Sequence, residues 1–177
     1  MMRRMFRTRL SLSLLALLAL PALAAVAYAK TYDVPSALGS TLAQTNAKTP
    51  LAILLPSRLA LDYDGRTYAS GSGGRRSYSL SLAGARNCGG ANACFLVTFT
   101  ATRDGRHGPW QKVALRGGRT GWFRPLSCGG SCSPPEIEWV SRGNLYGIQA
   151  KVSASTNAGQ RRLLVAAANS AIGAGPR

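Results

Sequence analysis

The alternation of apolar and polar residues is most regular between residues 77 and 82. In this segment Tyr78, Leu80 and Leu82 alternate with three serines. A period of two places successive side chains on opposite faces of a β-strand. The segment therefore predicts an antiparallel strand that turns an apolar face toward a core and a serine face toward water.

Further strands are predicted on the C-terminal side of this one. In residues 94–102, apolar side chains again recur at every second position. Two hairpins are expected beyond it, because apolar segments lie on either side of short glycine-containing turns. The segments are 110–115 and 120–123 around Gly117-Gly118, and 136–140 and 146–150 around Arg142-Gly143-Asn144. Consecutive hairpins predict a mostly antiparallel, meander-like sheet.

The N-terminal part of the sheet is predicted from shorter signals. The apolar run 51–55 lies between two prolines and has the length of a buried strand. Alternation continues over 59–63, and Asp64-Gly65 then predicts a hairpin turn to a strand that begins near Tyr68. The glycine-rich residues 71–74 predict a flexible loop.

Two helices are expected, one before and one after the strands. Residues 35–46 place Leu38 and Leu42 on a shared helical face. Residues 160–172 carry a stripe of leucine and alanine, and Gly173 is a natural C-cap for that helix.

Together these elements predict an α+β fold, with a mostly antiparallel, meander-like sheet and an N-terminal and a C-terminal helix on one face. Residues 30–177 are enough for a single domain with its own core. The expected parts are an N-terminal helical segment at 30–49, the sheet at 50–152 and the C-terminal helix at 158–173.

The first 29 residues have the pattern of an export signal. Four arginines precede an apolar run at 10–26, and Ala27-Tyr28-Ala29 is a small-x-small cleavage site. Cleavage there would make Lys30 the first residue of an extracytoplasmic protein, either secreted or on the periplasmic or cell-wall side. An uncleaved membrane anchor is the alternative, because the apolar segment is just long enough to span a bilayer.

Four cysteines lie in two short brackets, Cys88 to Cys94 and Cys128 to Cys132. Glycines within each bracket permit tight turns, and an oxidising compartment favours local disulfides. Three alternatives stay open: disulfides between the brackets, a four-thiolate zinc site and a redox-active pair. The local disulfides are the preferred hypothesis, and no metal or cofactor is expected.

The net charge of +16 falls to +12 when the four arginines before residue 30 are left out. Such an excess attracts anionic envelope polymers or lipid headgroups, and an envelope protein is the third candidate partner. Specific nucleic-acid binding is not expected, because no run of five like charges is present. The excess of arginine over lysine is also what GC-rich codons produce without any binding role.

Two groups of residues are candidates for a contact surface. In a simple meander alternate loops share an end of the sheet, which would gather the second cysteine bracket with four arginines and place the first bracket at the opposite end. These arginines are Arg75, Arg76, Arg103 and Arg106. The second group is Trp122, which we expect to be flanked by Arg119 and Arg124 on one strand face.

Residues with catalytic potential are few. His107 is the only histidine and lies in a loop near Asp104. The primary expectation is therefore an exported, non-enzymatic envelope or protein-binding module with a basic surface. One alternative is a secreted hydrolase that uses His107 and a nearby acid. Another is a small disulfide-stapled inhibitor or interaction module, for which the second bracket should protrude.

A family resemblance rests on several short motifs between residues 50 and 172. They are the segment Pro50 to Leu59, a tryptophan strand at Trp139, a turn at Gly143, a tyrosine strand at Tyr146, and Ala168-Asn169-Ser170 in the last helix. This pattern resembles bacterial extracytoplasmic envelope domains, some of them associated with anti-sigma factors. The resemblance implies an envelope-facing α+β module without catalytic residues. The cysteine brackets and the basic charge depart from that pattern.

Overall fold

A seven-stranded antiparallel sheet forms the centre of the structure. The structure is a computed structural model and describes residues 30–89 and 91–177. The predicted export signal lies outside the described residues. The strands are β1 (Lys30–Asp33), β2 (Arg58–Leu61), β3 (Tyr68–Gly73), β4 (Ser77–Ala83), β5 (Phe95–Arg103), β6 (Gln111–Leu115), β7 (Arg119–Arg124), β8 (Ser127–Cys128), β9 (Cys132–Ser133), β10 (Glu136–Ser141) and β11 (Asn144–Ala150). The helices are α1 (Val34–Leu38), α2 (Ser40–Asn46) and α3 (Asn157–Ala174).

The order of the strands across the large sheet is β3-β4-β5-β11-β10-β7-β6. Two small antiparallel pairs, β1 with β2 and β8 with β9, lie outside it. The prediction of an α+β fold with a mostly antiparallel sheet is confirmed. Within the described ranges, no helix is long and apolar enough to cross a membrane.

The central strands follow the alternation of the sequence. On β4, Tyr78, Leu80 and Leu82 are buried, whereas the serines between them are partly exposed. On the polar face, the hydroxyls of Ser81 and Thr98 are hydrogen-bonded at 2.9 Å between neighbouring strands. The sheet therefore has one apolar face and one hydroxyl-rich face, as expected from a period of two.

The apolar face packs against the helices. Helix α3 contacts β10, β11 and β6, and helices α1 and α2 contact β3 and β4. Trp139 lies at the centre of this layer with 1% of its surface exposed, and its ring stacks on Tyr146 with the centroids 5.6 Å apart. The predicted location of the core is thus correct.

The predicted strand at 51–55 is wrong in its secondary structure, although this segment is largely buried. Only an isolated bridge between Leu54 and Pro176 forms there, and the Leu54 amide donates to the Tyr78 hydroxyl at 3.2 Å. The prolines at both ends explain this, since they restrict the backbone and remove donors that a ladder needs. Side-chain burial alone therefore did not make this segment a strand.

The predicted hairpin at Asp64-Gly65 is also wrong. Strand β2 pairs with β1, whereas β3 joins the large sheet. The linker between them is fixed by Tyr63, whose hydroxyl donates to the Arg66 and Gly84 carbonyls at 3.1 and 3.3 Å. The N-terminal strand β1 pairs with β2, so β2 does not pair with β3. The turn residues Asp64-Gly65 give no indication of this distant partner.

Residues 71–73 belong to strand β3 rather than to a flexible loop. Their glycines allow α2 to lie close to the strand. A Cβ atom on Gly71 would lie 2.5 Å from the Thr45 hydroxyl, and one on Gly73 would lie 2.8 Å from the Thr45 carbonyl oxygen. These glycines thus allow α2 to pack closely on β3, and close approach of another backbone is a common reason for glycine in a strand.

Both helical predictions hold in outline and differ at their ends. The N-terminal helix is divided at Gly39, which has a φ of 51° that favours glycine. Helix α3 begins after Thr156, whose hydroxyl accepts from the Gly159 amide at 3.1 Å, and it continues to Ala174. Gly175 rather than Gly173 adopts the positive φ that ends it.

The connection between β5 and β6 departs from a simple meander. Arg103, at the end of β5, is paired with Asn144, whereas Gln111, at the start of β6, is paired with Phe123 toward the opposite end of the sheet. Residues 104–110, here called the crossing segment, therefore run along the polar face and pass over β11, β10 and β7. This crossing reverses the direction in which every later strand would run in a meander.

Candidate functional site

The two cysteine brackets meet at one end of the sheet, which we call the disulfide end. Disulfides Cys88–Cys94 and Cys128–Cys132 form within each bracket, so the zinc and cross-bracket alternatives are excluded. The Asn92 side chain, in the first bracket, donates to the Cys132 carbonyl in the second. The prediction that the brackets lie at opposite ends is therefore wrong, and the crossing segment is the reason.

The opposite end of the sheet carries a row of arginines. We call this end the arginine end and define the arginine row as six residues that lie in or beside its loops and turns. They are Arg75, Arg76, Arg103, Arg142, Arg119 and Arg116.

Hydrogen bonds and a shared cavity connect neighbouring members of the row. The Arg103 amide donates to the Arg76 carbonyl at 2.8 Å, and the next amide donates to the Gly143 carbonyl, beside Arg142, at 3.1 Å. Arg142 and Arg119 line a common cavity. The Arg119 guanidinium donates to the Arg116 carbonyl at 3.4 Å. The row thus extends along the end of the sheet without a break.

All six side chains of the arginine row belong to exposed residues. Among the described residues, only one acid forms an ion pair with any of them: Asp104 lies 3.4 Å from Arg76. Their side chains are 71% and 70% exposed. Because water screens such an exposed pair, it neutralises little charge. Guanidinium groups stay protonated at any physiological pH. The arginine end therefore presents a dense positive charge to solvent.

The row contains four of the predicted contact residues: Arg75, Arg76, Arg103 and Arg119. Arg106 lies on the exposed crossing segment instead. The expectation that Arg119 shares a strand face with Trp122 is wrong, because odd and even positions of β7 point to opposite faces.

Arg116 and Arg142 were not among the predicted contact residues. Both adjoin hairpin turns that the sequence does show, at Gly117-Gly118 and Gly143. Their position at the arginine end depends on the crossing segment, since a simple meander would have placed these turns at the other end. No local pattern in the sequence signals that crossing.

Trp122 and Arg124 lie on the polar face, beneath the crossing segment. The His107 ring stacks on Trp122 with the centroids 3.6 Å apart and an interplanar angle of 11°. Arg124 is ion-paired with Glu136 at 2.8 Å, and its guanidinium lies 5.2 Å from the centre of the Trp110 ring. These contacts hold the middle and the C-terminal end of the crossing segment against the sheet.

Glu138 forms a further link between the crossing segment and the sheet. Its carboxylate accepts a hydrogen bond of 3.1 Å from the Gly108 amide. Burial raises the pKa of Glu138 above its ordinary value, and the Gly108 hydrogen bond opposes that shift only in part. The negative charge of Glu136 raises this pKa too, whereas the positive charges nearby lower it.

His107 does not have the partners of a general base in the described residues. Its Nδ1 atom is hydrogen-bonded to the Gly108 carbonyl at 2.8 Å, and no carboxylate or hydroxyl in the described ranges bonds to the ring. The ring instead packs on Trp122. This geometry gives no support to the hydrolase hypothesis and assigns His107 a role in anchoring the crossing segment.

The second cysteine bracket projects from the sheet as the short β8–β9 hairpin. Gly129 and Gly130 at its tip have open space around them, since an added Cβ would meet nothing within 4 Å. This protrusion is what the interaction-module alternative requires. No contact in the described residues identifies a partner for the tip.

Comparison of the chain with protein families, curated proteins and solved structures gives no match in any of the three. The resemblance to envelope domains accordingly stays a prediction from short motifs. The structure itself defines the class: an α+β domain with an antiparallel sheet, a pair of local disulfides and an exposed arginine row. Two disulfides indicate a non-reducing, extracytoplasmic environment.

Proposed function

We propose that the protein is exported by the signal at residues 1–29 and binds an anionic polymer of the cell envelope along the arginine row. One observation carries the proposal: six exposed arginines lie along one end of the sheet, and the described residues form a single exposed ion pair with them. No catalytic role is assigned to the protein. The proposal retains the basic binding surface expected from the sequence and gives it a definite location.

The shape of the row favours a polymer over a small anion. The row extends over the six strands from β4 to β6, which at about 4.8 Å per strand makes it about 24 Å long. A polymer with a charge on each repeating unit can contact several arginines at once. Each contact releases counterions, so the affinity should fall steeply as the salt concentration rises.

The experiment measures binding of the oxidised protein to alginate, a carboxylated polysaccharide, with neutral dextran as the reference. The variant Arg103→Gln/Arg142→Gln removes two members of the row. The matched control, Arg161→Gln/Arg162→Gln, removes two exposed charges from α3. At about 50 mM salt we expect the row variant to lose about tenfold or more in affinity, and the control to lose about twofold.

Three results would contradict the proposal. Equal losses in the two double variants would mean that net charge alone attracts the polymer and that the row is not a site. Binding to vesicles that contain phosphatidylglycerol, without binding to alginate, would replace the polymer with a lipid surface. A wild-type affinity for alginate that does not change between low and high salt would exclude an electrostatic site.

A further inference from the structure

A cavity of about 320 Å³ opens at the disulfide end, away from the arginine row. It lies where the second cysteine bracket approaches the first, beside the start of α3. Its wall is mainly apolar and includes Leu126, Pro134, Pro135, Val152, Lys151 and Gln160. Mostly apolar cavities with a few polar groups are the usual form of small-molecule sites.

The walls of this cavity are tied together by hydrogen bonds. The Lys151 ammonium donates to the Asn92 carbonyl, and the Asn92 side chain donates in turn to the Cys132 carbonyl. The Asp62 amide donates to the Lys151 carbonyl at 2.9 Å. These contacts connect both brackets with the end of β11. The wall on this side of the cavity is therefore preformed, which lowers the cost of ordering it when a ligand binds.

Leu126 forms an exposed part of the cavity wall. It is 44% exposed, and within the described ranges only Val140 is a comparably exposed large apolar residue, at 41%. Val140 lies on β10, on the polar face of the sheet, and does not line this cavity. Leu126 thus offers apolar surface to a molecule in the cavity, and Val140 provides a natural control.

Gln160 supplies the polar group of the site. The residue is only 6% exposed, and its Nε2 atom donates to the Ala154 carbonyl at 3.2 Å. Its Oε1 atom is buried and accepts no hydrogen bond from any described residue. Because this atom has almost no accessible surface, a ligand donor reaches it only when the Gln160 side chain rotates toward the cavity. The donor then satisfies a buried acceptor whose lack of a partner is destabilising.

The charges beside the cavity are balanced. Asp62 and Lys151, both of which line it, carry opposite charges and are adjacent through their backbones. A strongly charged ligand would therefore gain little from this pair. The wall instead matches a neutral molecule whose apolar surface covers Leu126 and Val152.

We propose that this cavity binds a small neutral molecule with a mainly apolar body and one N–H or O–H group, which donates to Gln160 Oε1. This site is separate from the arginine row and does not rest on the polymer-binding proposal. Its ligand class follows from the unpartnered Gln160 acceptor and the apolar wall. The donor distinguishes this class from simple hydrocarbons.

The test compares indole with indene, which has nearly the same shape but no N–H donor. Binding to the oxidised wild-type protein is followed by NMR shifts. We expect indole to bind about tenfold more tightly than indene, a factor typical of one hydrogen bond to a buried group. Gln160→Met, which keeps the side-chain length and removes the acceptor, should abolish this difference and leave indene binding unchanged.

Two controls locate the site and keep the test decisive. Leu126→Ser should weaken the binding of both probes, whereas Val140→Ser should affect neither. If Gln160→Met does not fold, the Gln160 side-chain amide signal of the wild type serves instead, and indole should shift it far more than indene does. Equal affinity of the two probes for the wild type, or a preference for indole that persists in Gln160→Met, would overturn the proposal.

Discussion

The connections between strands are stabilised in different ways at the two ends of the sheet. At the arginine end, β3–β4, β6–β7 and β10–β11 are joined by tight turns, and no described disulfide lies there. At the disulfide end, β4–β5 and β7–β10 are joined by longer glycine-rich connections, and each contains a disulfide. Short turns are held by hairpin hydrogen bonds, whereas long connections gain stability from a covalent link.

Because of this difference, we expect the arginine end to contribute mainly to binding and the disulfide end mainly to stability. The arginine end exposes its charges on rigid turns, where substitutions should leave the fold intact. The disulfide end joins two long loops and forms a cavity between them. Substitutions at one end should therefore leave the property of the other end unchanged.

The largest effect on stability is expected at the disulfide end. Cys88→Ser/Cys94→Ser and Cys128→Ser/Cys132→Ser should each lower the free energy of unfolding by about 2 kcal/mol, because each releases a short closed loop in the unfolded chain. Urea unfolding measures both. Arg103→Gln/Arg142→Gln should change this free energy by less than about 0.5 kcal/mol. A loss of alginate binding in either serine variant would show that the two ends are coupled.

A smaller effect is expected from the crossing segment that separates the two ends. His107→Ala removes the stack on Trp122 and should cost about 1 kcal/mol of stability. His107→Phe keeps a flat ring at the same position and should retain most of that stability in the same urea measurement. An equal loss in both variants would mean that the stack does not anchor the segment.

The smallest effect depends on pH and concerns Glu138. Because burial raises its pKa in the folded state, the charged carboxylate destabilises the fold above that raised pKa, and the cost disappears as the pH falls to the ordinary value of 4.5. Glu138→Gln removes the charge and keeps an acceptor for the Gly108 amide. It should therefore be more stable than the wild type at neutral pH and equally stable below the ordinary pKa.

Thermal unfolding at several pH values measures this difference. Glu136→Gln is the matched control, since it lies on the same strand face and breaks the ion pair with Arg124. That variant should be less stable than the wild type at neutral pH. A Glu138→Gln variant that is less stable at neutral pH would contradict the sign derived from burial.

Local patterns predicted the elements well where strand neighbours are close in sequence. The strands at 77–82 and 94–102 and the hairpins around Gly117-Gly118 and Gly143 follow from alternation and turn residues. Prediction failed at 51–55 and at Asp64-Gly65, where the pairing partner is distant in the chain or absent. A local pattern carries no information about such a partner.

The candidate site shows the same limit. Arg75, Arg76 and Arg103 could be grouped from the sequence because β3, β4 and β5 are consecutive neighbours in the sheet. Arg116 and Arg142 could not, since the β5–β6 connection reverses the direction of the later strands. The cavity beside Gln160 was not predicted at all, as it is lined by residues from several separate segments.

The sequence by itself determined the alternating strands, the C-terminal helix and the basic charge, and it favoured the local pairing of the cysteines. Each depends on interactions between residues that are near in the chain, so periodicity, composition and loop length are enough to specify it. The tertiary structure alone decided which end of the sheet carries each loop. That outcome depends on the crossing segment, which is held by contacts of His107 and Gly108 with residues on distant strands.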